Sequence, residues 1–442
     1  MQSLKKTLNK CAKTTGFIKR QKDLTAKDFF ILMTIGSLGM KHPSLAAMVD
    51  SINARISREA LHQRFTESAV RFMENCTRFI LKQKINQSVH IETNLLEHYN
   101  RIQIADSSSW DVNPKLQGIL PGSGGSASSS NCKLQVFYEY KYGELSFFEI
   151  TPGIRPDNGY SPNLPGLLQS NDLLIADLGY FRLKTFYDID QKGAFFLSRL
   201  LVGTTLLNVE NETPIDLSML KGLSGNAYEI PVIMGKRKDS KVSCRLICLK
   251  LSEQAANERR RRLKKEAKRK GRTPKKFNLM LCDWALMVTN VPEAWLPAEN
   301  VRSLYSLRWQ IELLFKQFKS ILCIHLSNTG NVNRLKCEIL GKLIMAIFIH
   351  RIHASINVHL WNTQHKELSM DKLYKRIQER AFTILNYMIV SIRKALKYLS
   401  KEIPRLIKNC MKFHQLSRKT SLEVLEYGII QKIVVRKIKC LT

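Results

Sequence analysis

The feature that most restricts the fold is a change of hydrophobic period near Tyr99. From Leu24 to about His98 apolar residues recur at three- and four-residue spacing, through Phe29, Phe30, Leu32 and Met33, as in helices that bury one face. After Tyr99 the pattern breaks into short runs, Ile102 to Ala105, Leu134 to Tyr140, Leu145 to Ile150, Leu173 to Ala176 and Ala194 to Ser198, which read as strands. From Tyr305 onward it becomes helical and stays so, through Ile339 to His353 and Tyr387 to Leu399, ending in a basic tail. The expected order is a helical start, a mixed α/β middle and a helical end.

Inside the helical start, Ser44 to Asp50 reads as one short helix, and Ser57 as the N-cap of a helix from Arg58 to Cys76. Arg58, His62 and Arg64 near its N-terminal end fit a recognition helix, and fit equally the solvated basic face of a bundle helix. Pro121 to Asn131, rich in Gly and Ser, has the composition of a flexible loop, and a loop beside an active site would look the same.

The formal net charge of +33 is far beyond what solubility requires, so the natural partner is a polyanion, nucleic acid ahead of an anionic membrane surface. Met1 to Phe17 holds no apolar run of signal-peptide length, and Lys342 interrupts the most apolar stretch, Ile339 to His350. This reads as an unexported protein without a membrane span. The ten cysteines show no CxxC spacing, and the nearest pair, Cys244 and Cys248, lacks a His close by, which argues for reduced thiols and against zinc. Asn257 to Arg272 is a dense basic run set between strand-like pieces, among them Tyr228 to Met234 and Ser243 to Leu251. Such a run is usually a solvated helix, but its place between apolar strands suits contact with phosphates.

Three acids stand out by context. Asp106 follows the strand-like Arg101 to Ala105, and Asp177 follows Leu173 to Ala176, so both sit where strands end, a place where an Asp often only caps a turn. At about 100° per residue, Tyr305, Arg308 and Lys319 fall within roughly 40° of Glu312 on one helix. That polar stripe borders an apolar one made of Leu304, Leu307, Ile311, Leu314, Phe315 and Phe318, as at the mouth of a cleft. A local Arg308 to Glu312 ion pair is the plainer account.

Tyr305-x2-Arg308-x3-Glu312-x6-Lys319 resembles the Y-R-E-K signature of insertion-sequence-four family DDE transposases. Asp106-Ser-Ser-Ser resembles that family's first-Asp motif, Pro121-Gly-Ser-Gly-Gly125 its loop, and Asp177-Leu-Gly-Tyr180 its second-Asp motif. Phe195 to Arg199 and Trp284 to Pro292 also resemble family segments, and with Thr15 to Arg20 the likeness runs over roughly residues 10 to 350. Leu178 and Ser108 depart from it, without touching the carboxylates.

The resemblance implies a ribonuclease-H-like α/β catalytic core with a β-rich insertion domain between helical N-terminal and C-terminal regions. The expected division is 1–98, a helical DNA-binding domain; 99–201 and 299–350, the two parts of the core; 202–298, the insertion; and 351–442, a helical region suited to dimerisation. The separation of 135 positions between Asp177 and Glu312 is too long for an ordinary connection, which by itself calls for an insertion. Asp106, Asp177 and Glu312 would hold two Mg2+ ions, with Mn2+ as a substitute, since oxygen ligands suit hard cations and need no His or Cys. Arg199, Tyr305, Arg308, Lys316 and Lys319 would contact phosphates, and Trp284 would stack on a base unstacked at a DNA hairpin, although its apolar neighbours fit a core tryptophan as well. The implied activity is cut-and-paste transposition on double-stranded DNA, at transposon end inverted repeats and at a target, by a homodimer in a prokaryotic cytoplasm beside the nucleoid. A catalytically silent DNA-binding relative and a ribonuclease-H-like nuclease without strand transfer are the competing readings.

Overall fold

The computed structural model describes residues 2–20, 23–40, 44–52, 55–83, 95–125, 127–412 and 435–437. The helical pattern across 84–94 and the basic tail over 413–434 and 438–442 lie outside these residues. The described strands are β1 (Ile102–Asp111), β2 (Asn131–Glu139), β3 (Glu144–Pro152), β4 (Leu173–Ala176), β5 (Phe195–Arg199), β6 (Leu206–Asn208), β7 (Ala227–Met234), β8 (Val242–Lys250), β9 (Trp284–Thr289) and β10 (Val435–Lys437). The chain divides into two compact units, one of Met1–Ile91, Ser107–Arg155 and Gln310–His414, the other of Glu92–Asp106, Pro156–Trp309 and Gln415–Thr442. Strand β1 passes from the second to the first immediately after Asp106.

In the second unit β1 pairs in parallel with β4, Ile102 opposite Leu173 and Ala105 opposite Ala176, and β4 pairs in parallel with β5. All four β4 residues, Leu173-Leu-Ile-Ala176, are buried, as a continuous apolar run in a strand covered on both faces should be. The helix Leu183–Gln191 supplies part of that cover, its Phe186 ring stacked on Phe196 of β5 with centroids 4.4 Å apart. Beyond β5 the sheet continues antiparallel through β9, β8 and β7, with β6 on β7. Strands β7, β8 and β9, which fall in the 202–298 segment, are therefore hydrogen-bonded into one sheet with β4 and β5. Strand β10 adds in parallel to β7, so the end of the chain does not stay helical; a three-residue pairing with a partner some two hundred residues away leaves no local pattern.

In the first unit β2 and β3 form an antiparallel hairpin, Cys132 opposite Pro152, with a bulge at Phe137 and Tyr138. Read through the continuous β1, the strand order is β3-β2-β1-β4-β5, a mixed sheet within an α/β fold. The central helix of the first unit, Val332–Gln364, is long and apolar enough to cross a membrane by length and composition, but most of its apolar window is buried inside the protein. Lys342 on it is buried and donates to the Cys323 carbonyl at 2.9 Å. Gly341 lets this helix meet the turn Leu32–Gly36: a Cβ there would stand 1.9 Å from the Met33 carbonyl oxygen.

Two expected helices are broken. Ser57 caps a helix of only five residues, Arg58–His62, and a new helix begins at Glu67 under a Thr66 cap. Phe65 between them is buried against Phe29, and that anchor outweighs helix continuity. Ser44 caps Leu45–Asp50 as expected. The helix expected across Tyr305 to Lys319 is two, Val301–Ser306 and Trp309–Ser320, separated where Leu307 and Arg308 donate to the carbonyls three residues back rather than four.

Candidate active site

Asp177 caps the C-terminal end of β4 and opens a short 3-10 turn, Leu178–Tyr180, so its carboxylate leaves the sheet at the strand end, as expected. Asp106 does not end its strand. It lies in the middle of β1, because the serines at 107 to 109 continue the extended backbone in spite of their preference for turns.

These two acids meet on cations. Arg199, at the end of β5, donates from Nη2 to Asp177 Oδ1 at 2.8 Å. Arg308, in the turn between the two helices, places Nη1 3.6 Å from Asp106 Oδ2 and Nε 3.9 Å from Asp177 Oδ1. One guanidinium therefore lies within ion-pair reach of both carboxylates. Tyr305 stands beside them: burial raises its hydroxyl pKa, the Asp177 carboxylate adds to the rise, and Arg199 and Arg308 oppose it. Glu312, in the first turn of Trp309–Ser320, belongs to the first unit.

Among the described residues no three side chains of the types His, Cys, Asp and Glu gather as a ready-made metal centre. What gathers is two carboxylates around one cationic group, an all-oxygen donor set that suits a hard divalent ion.

The other candidates fall in different places. Trp284 opens β9 and is 3% exposed, its ring 5.9 Å from that of Tyr228 and 6.0 Å from Lys250 Nζ. It also lines a cavity of about 290 Å³, together with Arg199, Arg259, Leu263, Asn278 and Met287. Arg259, in the helix Glu253–Arg269, donates to the Trp284 carbonyl at 2.9 Å, and burial, with the nearby Arg199 charge, lowers its pKa. Sequence reasoning missed Arg259, because its only signal was membership of the basic run. Lys319 Nζ donates to the Ser109 carbonyl at 3.1 Å, and Lys316 is exposed. In the N-terminal helices Arg58 and His62 are exposed, whereas Arg64 is half-buried, donating to the Phe17 carbonyl at 3.0 Å with its guanidinium 4.6 Å over the Phe17 ring.

Residues 98–348 match the family model described as Transposase DDE domain. The chain is 29% identical over 445 residues to the transposase for insertion sequence element IS231F of Bacillus thuringiensis subsp. israelensis, covering 96% of this chain and 92% of that protein. It is 29% identical over 435 residues to the transposase for insertion sequence element IS1151 of Clostridium perfringens, covering 93% and 90%. A cryo-EM structure of piggyBac transposase synaptic complex with hairpin DNA is similar at a TM-score of 0.45 and 10% identity, over 91% of this chain and 81% of that one.

Proposed function

The chain belongs to the transposase DDE domain family, and from that premise we propose that it binds terminal inverted repeats and moves an element by cut-and-paste transposition through a hairpin intermediate. As a DDE transposase it binds DNA and carries out cleavage and strand transfer, and its family works with divalent metal ions. Asp106, Asp177 and Glu312 would hold the metals, Mg2+ with Mn2+ as a substitute. Two such ions, when bound, supply neutralisation of the attacking and leaving oxygens of the phosphodiester.

The observation that carries this reading is Arg308 within ion-pair reach of both Asp106 and Asp177. Two carboxylates from separate strands face one cationic locus, and a phosphate brought there meets Arg308 and Arg199 as its first counter-charges. Tyr305, on the helix Val301–Ser306, and Lys316 and Lys319, on the helix Trp309–Ser320, would add phosphate contacts. Trp284 beside its cavity would hold the base that a tight hairpin unstacks. Arg58 and His62 would contact the end sequence, in a homodimer that engages two ends and then target DNA, in a prokaryotic cytoplasm beside the nucleoid.

The test is incubation of the protein with a candidate end and Mg2+, with products resolved on a denaturing gel. Nicking followed by a hairpin is expected, and Glu312→Gln should bind the end and cut nothing. Cleavage without a hairpin would leave a nuclease lacking strand transfer, and Glu312→Gln behaving as wild type would remove the enzyme reading.

A further inference from the structure

The helix Glu253–Arg269 carries eight Arg and Lys residues against three Glu, and they do not all do the same thing. Arg259 donates to the Trp284 carbonyl and Arg260 pairs with Asp283, so these two tie the helix to the start of β9. Arg262 pairs with Glu258 one turn back, and just past the helix Lys270 pairs with Glu266. Arg261, Lys264, Lys265 and Lys268 are exposed, and among the described residues no ion pair is formed by any of them.

Their spacing is i, i+3, i+4, i+7, which at about 100° per residue places all four within roughly a 100° arc. Ala256, Arg260, Leu263 and Ala267, the more covered positions, fall on the opposite side. A helix made charged only for solubility mixes both signs around its face. Here Glu253 and Glu258 lie only about 20° outside the two edges of the stripe, but Glu258 pairs with Arg262 and Glu266 with Lys270, so the four cations of the stripe stand in a row with no ion pair of their own. From Arg261 to Lys268 the stripe is about 10 Å long at about 1.5 Å per residue, the length of about three base pairs at 3.4 Å each.

We propose that this stripe is a backbone-tracking surface for duplex DNA, anchored at its root beside the Trp284 cavity and blind to sequence. Lys and Arg heads on phosphates position a duplex, and the stripe holds no Asn or Gln of the kind that reads base edges. It therefore adds the same affinity to an element end, its flank or unrelated DNA. The proposal rests on the transposase reading for the nature of its ligand.

The experiment compares wild type with the quadruple variant R261Q/K264Q/K265Q/K268Q, binding an end duplex and a random duplex of equal length across 50 to 300 mM salt. Four phosphate contacts at about 0.9 each predict a fall of about 3 to 4 in the slope of log affinity against log salt, equal for both duplexes. The ratio of end to random affinity stays at its wild-type value, and an all-lysine or all-arginine stripe restores the slope. An unchanged slope, or a loss confined to the end duplex, overturns the proposal. Circular dichroism melting at the wild-type temperature shows that any loss is not unfolding. Wild type that binds neither duplex would sink the transposase reading itself; wild type that binds both, with the variant indistinguishable from it, would sink this inference alone.

Discussion

Arg199 Nη2, at the end of β5, donates at 2.8 Å to Oδ1 of Asp177, the residue that follows the parallel neighbour β4. The same oxygen lies 3.9 Å from Arg308 Nε. Both Arg199 and Asp177 are open to solvent, so the pair adds little to folding stability. Its effect is on geometry: a charge-assisted bond fixes one carboxylate oxygen, and on the proposed function the other would be left for a divalent ion.

Arg199→Gln should consequently impair chemistry more than binding. We expect single-turnover cleavage at saturating DNA to fall about ten- to a hundredfold, equivalent to about 1.4 to 2.7 kcal/mol at the transition state. End affinity should fall by less than about fivefold, the loss of about one exposed phosphate contact. A variant that binds weakly yet cuts at the wild-type rate once saturated would make Arg199 a phosphate contact and nothing more.

Trp284 combines two roles that usually exclude each other, being buried in β9 and forming a cavity wall. Trp284→Ala should destabilise the fold by about 3 to 5 kcal/mol, as removal of a large core side chain does. Trp284→Phe keeps most of the packing and a smaller ring. If the ring holds an unstacked base at about 1 to 3 kcal/mol, the Phe variant should form hairpin several-fold more slowly while nicking at the wild-type rate. Equal slowing of both steps would return Trp284 to the core alone.

Arg64 is tied to Phe17 by a hydrogen bond to its carbonyl and by stacking over its ring, and burial lowers its pKa. Arg58, on the short helix just before, is exposed. Arg64→Ala should therefore lower stability by about 1 to 3 kcal/mol, the combined scale of a partly desolvated cation-π contact and a charged hydrogen bond. Arg58→Ala should change the melting temperature little and end binding more. Thermal melts beside gel shifts separate the two, and a reversed pattern would reassign both residues.

How much of this could be read in the chain follows from the range of the forces involved. Leu173 to Ala176 is found as a strand with the expected bounds because an apolar four-residue run has few other uses between turn signals. Asp106 is misplaced at a strand end because serine composition suggests a turn, while the ladder that extends β1 is made by backbone groups. The Y-R-E-K spacing suggested one continuous helix, yet the chain turns at Leu307 and Arg308, and that turn carries Arg308 to the two acids. Arg259 and β10 depend on partners distant in the chain, for which local periodicity has no signal.

Two histidines in the first unit make its stability depend on pH. His350 lies edge-on to Tyr138 and Tyr374, each with centroids 5.7 Å away, and burial, with His353 nearby, lowers its pKa to about 3. His353 donates from Nε2 to the Leu368 carbonyl at 2.9 Å, and burial, with Lys412 adding to it, lowers its pKa to about 4. In the unfolded chain both return to about 6.5. Between these values the unfolded state binds more protons, so the stabilisation is complete above pH 6.5 and is lost as pH falls toward 4 and 3. Each histidine can contribute a slope of up to about 1.4 kcal/mol per pH unit. Denaturant unfolding of wild type and His350→Phe at pH 7.5, 6.0 and 5.0 isolates the effect, because carboxylate titration is common to both proteins. The wild-type advantage over the variant should shrink as pH falls through this range, and a difference that stays constant would mean that His350 takes up its proton without leaving the fold.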